Sequence, residues 1–432
     1  MKIRKDKEEI LFPIILQSIL QKLGWGIVIL LLFFLPFQSL VQKWLNLPYQ
    51  FLWVDELLIV IAFILFSFNL SYYGKIKIKK GASAISLSLF FIMVIAIVSA
   101  LYNENPFIVS SGGIFNYVKN FLVIPIFCLF IIPKKELVSL YKILHRLALF
   151  LCIIAILQEI TFFWGGPVEK LGASTNFVYL RFGFMRTPSL MEHPNVFGLY
   201  SLLFFLLDFS LCRRLRWQNL FLLSGIILSG SRVTWAALYF AFFYLLIQRN
   251  KKIIKVFVLV TIIIAFALIP YLRAAKELSS EAYFRRYAIL KSVEILEDYP
   301  FLGVGPGMYG GWITPNFASP VFQKYQFDPQ WIEEIEQHRT LDCFWFQHTA
   351  ETGLLGALSF IILLIVLWRV TRKEALLAKD SFRKGILSAF SVIPIVIIIY
   401  LFANVLNVTP FLLTYNILFG MTLGMKDEDI VN

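Results

Sequence analysis

Six arginines stand apart from the Lys/Arg-rich loops of this sequence: Arg181, Arg186, Arg232, Arg273, Arg285 and Arg286. A guanidinium stays protonated under all ordinary conditions and meets phosphate oxygens with a two-pronged fork. Several of them near one membrane face would suit a lipid-linked diphosphate. The plainer use is contact with phospholipid headgroups. Arg232 fits that use least, because the junction GSR at 230–232 lies between two apolar runs with almost no loop in which the side chain can turn away. His338 sits in an acidic segment, IEEIEQHRTLD, where an imidazole can titrate near neutrality; a surface role is equally open. His348, on the approach to an apolar run, reads as structural, and His145 beside Arg146 as interfacial. The histidines and four scattered cysteines lack metal-ligand spacing, so no metal and no cofactor is expected.

Two motif matches are set aside. Gly305–Gly310 satisfies GxGxxG on paper, but a proline interrupts it and no strand–helix unit surrounds it, so it reads as a tight turn. The tail Asp427-Glu428-Asp429 has the spacing of an acidic glycosyltransferase motif. It has no folded domain around it and reads as a solvated acidic end.

The elements that must hold these residues are membrane helices. The chain is 59% hydrophobic and only 16% charged, against about a quarter charged in soluble domains. About twelve apolar runs are long enough to span a bilayer. They centre near 24–41, 51–70, 83–102, 113–132, 147–163, 195–212, 217–230, 231–248, 253–272, 350–368, 384–402 and 405–424. An all-α polytopic membrane protein follows. Residues 1–272 hold nine spans, 273–342 form a large loop with short helices, and 343–432 hold three more.

Lys and Arg crowd alternate loops, as in GKIKIKKG, PKKELVSLYKILHR and WRVTRKEALLAKDSFRKG, while YNENPF and NVLNVTP have none. By the positive-inside bias both termini are cytoplasmic, and 164–194, the GSR junction and the loop 273–342 face outward. This assigns most of the net charge of +13 to orientation and lipid contact and removes nucleic acid as a partner. Asp55, Glu56, Glu159 and Glu351 gather on the same outer side, with Asp208 as the exception near an inner end. A transport path needs polarity through the whole thickness, often on matched broken helices. One-sided polarity favours an outward-opening site over a flippase or exporter. Within the loop, SSEAYFRRYAILKSVEIL is expected to form a helix capped by Ser280 and ended at Asp298-Tyr299-Pro300. Phe284, Tyr287, Leu290 and Val293 are expected on one face, followed by a turn at Gly303, Gly305 and Gly307.

Four segments, in order, resemble the O-antigen ligase and polysaccharide polymerase superfamily: FMRTPSLMEHPNVFGLYSLL, LSGSRVTWAAL, FRRYAILKSVEILEDYPFLGVGPGMYG and LDCFWFQHTAETGLLGALSF. The resemblance implies a metal-independent glycosyltransferase of the cytoplasmic membrane. Its donor is an undecaprenyl-diphosphate-linked glycan, its acceptor a sugar hydroxyl or a lipid, and a chain-length regulator is a possible partner. It implies that Arg232 and Arg285 hold the diphosphate, with Arg286 as the alternative to Arg285 and Arg186 as a third. His193, Asn195 and Glu351 are further candidates on the matched segments. Where family ligases carry His-Asn as the base position, this chain reads Asp342-Cys343. That departure favours a polymerase over a ligase, with Asp342 as the general base and His338 as its rival.

Overall fold

The computed structural model describes residues 22–48, 53–73, 80–129, 133–166, 184–212, 214–250, 280–310, 319–338, 344–400 and 409–425, with positions 19, 51, 168, 180–181, 252–256, 260–261 and 314 besides. Apart from one two-residue antiparallel pair, β1 (Leu180–Arg181) with β2 (Phe184–Met185), the regular structure described is helical.

Seven of the described helices are long and apolar enough to cross a membrane. They are α1 (Lys22–Trp44), α3 (Lys80–Tyr102), α4 (Phe107–Cys128), α5 (Lys134–Phe163), α6 (Pro194–Cys212), α12 (Phe344–Leu377), and the pair α13 (Ser381–Phe390) and α14 (Ile393–Tyr400), which together run Ser381–Tyr400. α2 (Val54–Tyr73) matches a further expected span, and α7 (Trp217–Leu228), α8 (Arg232–Arg249) and α15 (Thr409–Gly424) are shorter apolar helices. Most of the expected span 253–272 lies outside the described residues. The polar helices are α9 (Ser280–Asp298), α10 (Pro320–Lys324) and α11 (Pro329–His338).

Local chemistry sets several boundaries. Pro106 and Pro133 precede α4 and α5, where a residue without a backbone N–H costs nothing. Ser231 caps α8 by accepting from the Thr234 amide, and Asp380 caps α13 by accepting from the Arg383 amide at 2.9 Å. α12 is longer than the sequence suggests and is broken at Gly353, whose φ of 66° takes it out of the helix. A side chain there would strike the backbone of Phe301 at 2.3 Å, so this glycine lets the 299–310 turn lie against the helix.

α6 is the most buried of the seven, in contact with α5, α7, α8, α13 and α15. α15 also packs along α4, and α3 lies between α4 and α12. The outer surface carries exposed apolar residues such as Leu87, Phe90, Phe91, Leu358 and Ile362, as a lipid-facing surface should. A second, smaller core joins α9, the turn, α10 and α11 around the buried Trp331, and Val109 and Ala350 connect it to the helix bundle.

α9 runs Ser280–Asp298 and ends where expected; Ser280, expected as its cap, is its first residue, and the expected apolar face is rotated. Tyr287 packs on Phe327 and Trp331 as expected, and Ala288, Ser292 and Ile295 are buried, whereas Leu290 and Val293 are exposed. Tyr309 and the aromatic cluster beneath it occupy the side on which small Ala288 and Ser292 permit close approach. The side chain of Phe284 lies outside the described residues.

Candidate active site

Arg186 sits just after β2 in an extended segment clamped from two sides. Toward α5, the Glu159 carboxylate accepts from the Met185 amide at 3.1 Å and the Thr187 hydroxyl at 3.3 Å, and Gln158 donates to the Ser189 carbonyl at 2.8 Å. Toward α7, the Thr187 amide donates to the Leu228 carbonyl at 3.0 Å. The guanidinium is buried, and Nη2 donates to Asn195 Oδ1 at 2.9 Å. Asn195 lies in the first turn of α6, where its amide donates to His193 Nδ1 at 3.1 Å. His193 thus acts as an acceptor for the helix start.

The GSR junction lies against this segment. Gly230 has φ of 57°, and a Cβ built on it would stand 2.7 Å from Arg186 Cγ. Arg232 is the first residue of α8 and is exposed. Tyr400, at the end of α14, joins the two helix starts. Its hydroxyl lies 2.8 Å from Thr234 Oγ1 and 3.2 Å from Ser231 Oγ, and donates to the Asn195 carbonyl at 3.3 Å. The amino ends of α6 and α8 therefore stand side by side, with Arg186 and Arg232 among them. Helix amino ends carry partial positive charge and unpaired N–H groups, which favour a phosphate. Chemically the arrangement suits an anion.

The second group of expected residues lies on the α9–α12 side. Arg285 and Arg286 are on α9, which packs on α12; Arg286 is exposed, and the side chain of Arg285 lies outside the described residues. His338 ends α11, with its side chain outside the described residues, as Asp342 is altogether. Glu351 is fully buried in the first part of α12. Its carboxylate accepts from the amides of Gly307 at 2.8 Å, Tyr309 at 3.1 Å and Gly310 at 3.2 Å, and from the Tyr117 hydroxyl. The glycine-rich turn is an anion-binding concavity whose anion is the protein's own glutamate. Ser99, Asn103 and Asn105, at and just beyond the end of α3, donate to the Leu302, Gly303 and Val304 carbonyls and hold its outer side. His348 is buried against Phe344, Tyr117 and Phe360, in keeping with a structural place.

Sequence reasoning missed Tyr400 and Tyr117. Each is one tyrosine among eighteen, and its role arises only when distant helices meet.

Residues 219–361 match the family model described as O-Antigen ligase. The match supports the O-antigen ligase/polymerase superfamily for this chain. It covers about a third of the chain, from α7 into α12, and so includes Arg232, Arg285, Arg286, His338, Asp342 and Glu351 but not Arg186, His193 or Asn195. Members of this superfamily are glycosyltransferase-like ligases and polymerases of envelope polysaccharide assembly, which agrees with the membrane character of the helices. A comparison with curated proteins returned no match.

Proposed function

We propose that this protein transfers a glycan from an undecaprenyl-diphosphate-linked donor to an acceptor sugar hydroxyl at the outer face of the cytoplasmic membrane, as a polysaccharide polymerase. The observation that carries the reading is the meeting of Arg186 and Arg232 with the amino ends of α6 and α8, inside a membrane protein of this superfamily. In this reading both termini are cytoplasmic and residues 273–342 form the outer loop between membrane parts 1–272 and 343–432. Arg186, Arg232 and Arg285 or Arg286 hold the diphosphate, while His193 and Asn195 shape the start of α6 around it.

The acceptor oxygen attacks the anomeric carbon as the bond from that carbon to the diphosphate oxygen breaks. The polyprenyl diphosphate leaves with the bonding electrons, and the arginines and helix ends stabilise its charge. The hydroxyl proton passes to Asp342, or to His338. Aspartate in the base position, where family ligases carry histidine, favours the polymerase over transfer of a finished glycan to a lipid.

Lysine variants test the clamp, because lysine retains charge and loses the fork. Arg232→Lys is expected to lose most turnover with a diphosphate-linked donor while still inserting and binding detergent normally. Near-parent turnover in Arg232→Lys and Arg186→Lys would return both arginines to headgroup contact.

A further inference from the structure

The buried carboxylate of Glu351 is far from being a free acid at the site. Its four donors come from α4 and from a turn that is 41 to 44 residues away in sequence. What it holds points to its role. Tyr309, whose amide it binds, is itself fully buried, and its hydroxyl donates to the carbonyl of Ala288 on α9 at 2.5 Å. Ala288 lies less than one helical turn beyond Arg285 and Arg286. A continuous chain of hydrogen bonds thus runs from Glu351 on α12, through both the backbone and the side chain of Tyr309, to the helix that carries the paired arginines.

The surroundings make that chain stiff. The Tyr309 ring packs on Phe327 and Trp331, with centroids 5.9 and 6.2 Å away. The turn is pinned to α12 by the Val304 and Gly305 amides, which donate to the Ala350 and Glu351 carbonyls at 2.9 and 2.8 Å. Among the described residues, further polar ties of α9 reach the small core: the Tyr287 hydroxyl accepts from the Asp328 amide, Lys291 donates to the Tyr325 carbonyl, and Asp298 accepts from the Tyr325 hydroxyl. Those ties fix α9 to the small core. The Glu351–Tyr309–Ala288 chain ties the arginine-bearing half of α9 to the membrane helix, while its far end is held there by the Leu354 and Leu355 amides, which donate to the Pro300 and Phe301 carbonyls just beyond Asp298.

We infer that Glu351 and Tyr309 are positioning residues for the arginine helix, setting the depth of α9 relative to α12 so that its arginines meet the donor diphosphate. This rests on the reading of Arg285 and Arg286 as diphosphate ligands. It makes Glu351 a mechanical part of the site, one that touches neither donor nor acceptor.

The test uses Tyr309→Phe, which keeps the ring in its aromatic packing and the amide on Glu351 and removes only the hydroxyl. Two quantities are read in the full-length protein. One is the KM for a diphosphate-linked donor beside that for the acceptor; the other is the mobility of a nitroxide at exposed Leu290 on α9. The donor KM is expected to rise about threefold to tenfold, as loss of one hydrogen bond allows, with the acceptor KM unchanged and the label more mobile. In an Arg285→Lys, Arg286→Lys background the same substitution should add little, because the groups act as one unit. Glu351→Gln should give the same signature more strongly; if it fails to fold, Tyr309→Phe still decides. A parent-like donor KM in the arginine variants would sink the diphosphate reading of α9, and the inference with it. If the arginines matter and Tyr309→Phe leaves the donor KM at the parent value, the inference alone falls, whether or not the label moves.

Discussion

Arg186 lies across Gly230, its Cγ 2.7 Å from where a Cβ at that glycine would stand. The contact ties the extended segment before α6 to the junction before α8, and both arginines of the proposed clamp depend on it. Gly230 also has a positive φ, so alanine there meets strain and collision together. Gly230→Ala is expected to cost ~1–3 kcal/mol of stability and to displace Arg186. Thermal unfolding in detergent, alongside turnover per folded molecule, checks both; unchanged turnover per folded molecule would separate Arg186 from the chemistry.

Tyr117 donates to a carboxylate that is wholly buried. Tyr117→Phe leaves the three turn amides in place and removes one charge-assisted bond. The expected loss is ~1.5–3 kcal/mol, read from thermal or denaturant unfolding. A loss within error would mean that the turn amides alone satisfy Glu351.

Asp208 shows an asymmetry between partners. It is buried at the end of α6 and accepts from Arg216 at 2.5 Å and Asn219 at 2.8 Å, whereas Arg216 is 38% exposed. Removing the arginine leaves a buried carboxylate without its cation, while removing the carboxylate leaves an arginine that can reach solvent. Arg216→Gln is therefore expected to cost up to ~3–5 kcal/mol and Asp208→Asn distinctly less. The reverse order in unfolding measurements would contradict this account of the network.

The acid behaviour of the loop follows from Asp298. The Tyr325 hydroxyl at 2.8 Å and the Lys324 ammonium at 3.4 Å hold its carboxyl below the ordinary range, and Tyr325 is pushed up to about 12 by burial and by that same bond. A depressed carboxylate contributes stability above its unfolded pKa of about 4 and loses it as pH falls through the folded value. The stability gap between the parent and Asp298→Asn should thus be constant at neutral pH and close below pH ~4. A gap that persisted at lower pH would mean that the charge of Asp298 is not what the contact uses.

Much of this was legible in the sequence, and the failures have physical causes. The apolar runs, the extent of α9 to Asp298, the glycine turn and the place of the GSR junction between two apolar helices all depend on neighbours in the chain. The break at Gly353 was not legible, since ETGLLG inside an apolar run reads as continuous helix until another backbone is seen to cross it. The buried face of α9 was misread because Leu290 and Val293 look like core, yet the partner surface prefers the small Ala288 and Ser292. Filling of the turn by Glu351 and the bridge from Tyr400 to Asn195 and Thr234 are contacts across 41 residues or more, which no local pattern records.

The central claim is glycosyl transfer from a lipid diphosphate, and reconstitution tests it most directly. Purified protein in liposomes is given a polyprenyl-diphosphate-linked oligosaccharide, and new glycosidic bonds are counted against released polyprenyl diphosphate. The account predicts equal numbers of both, products that grow as a ladder, and loss of both in Arg232→Lys. A single transfer to a different acceptor would correct the polymerase to a ligase. Donor that stays intact, or that merely crosses the bilayer, would contradict the account.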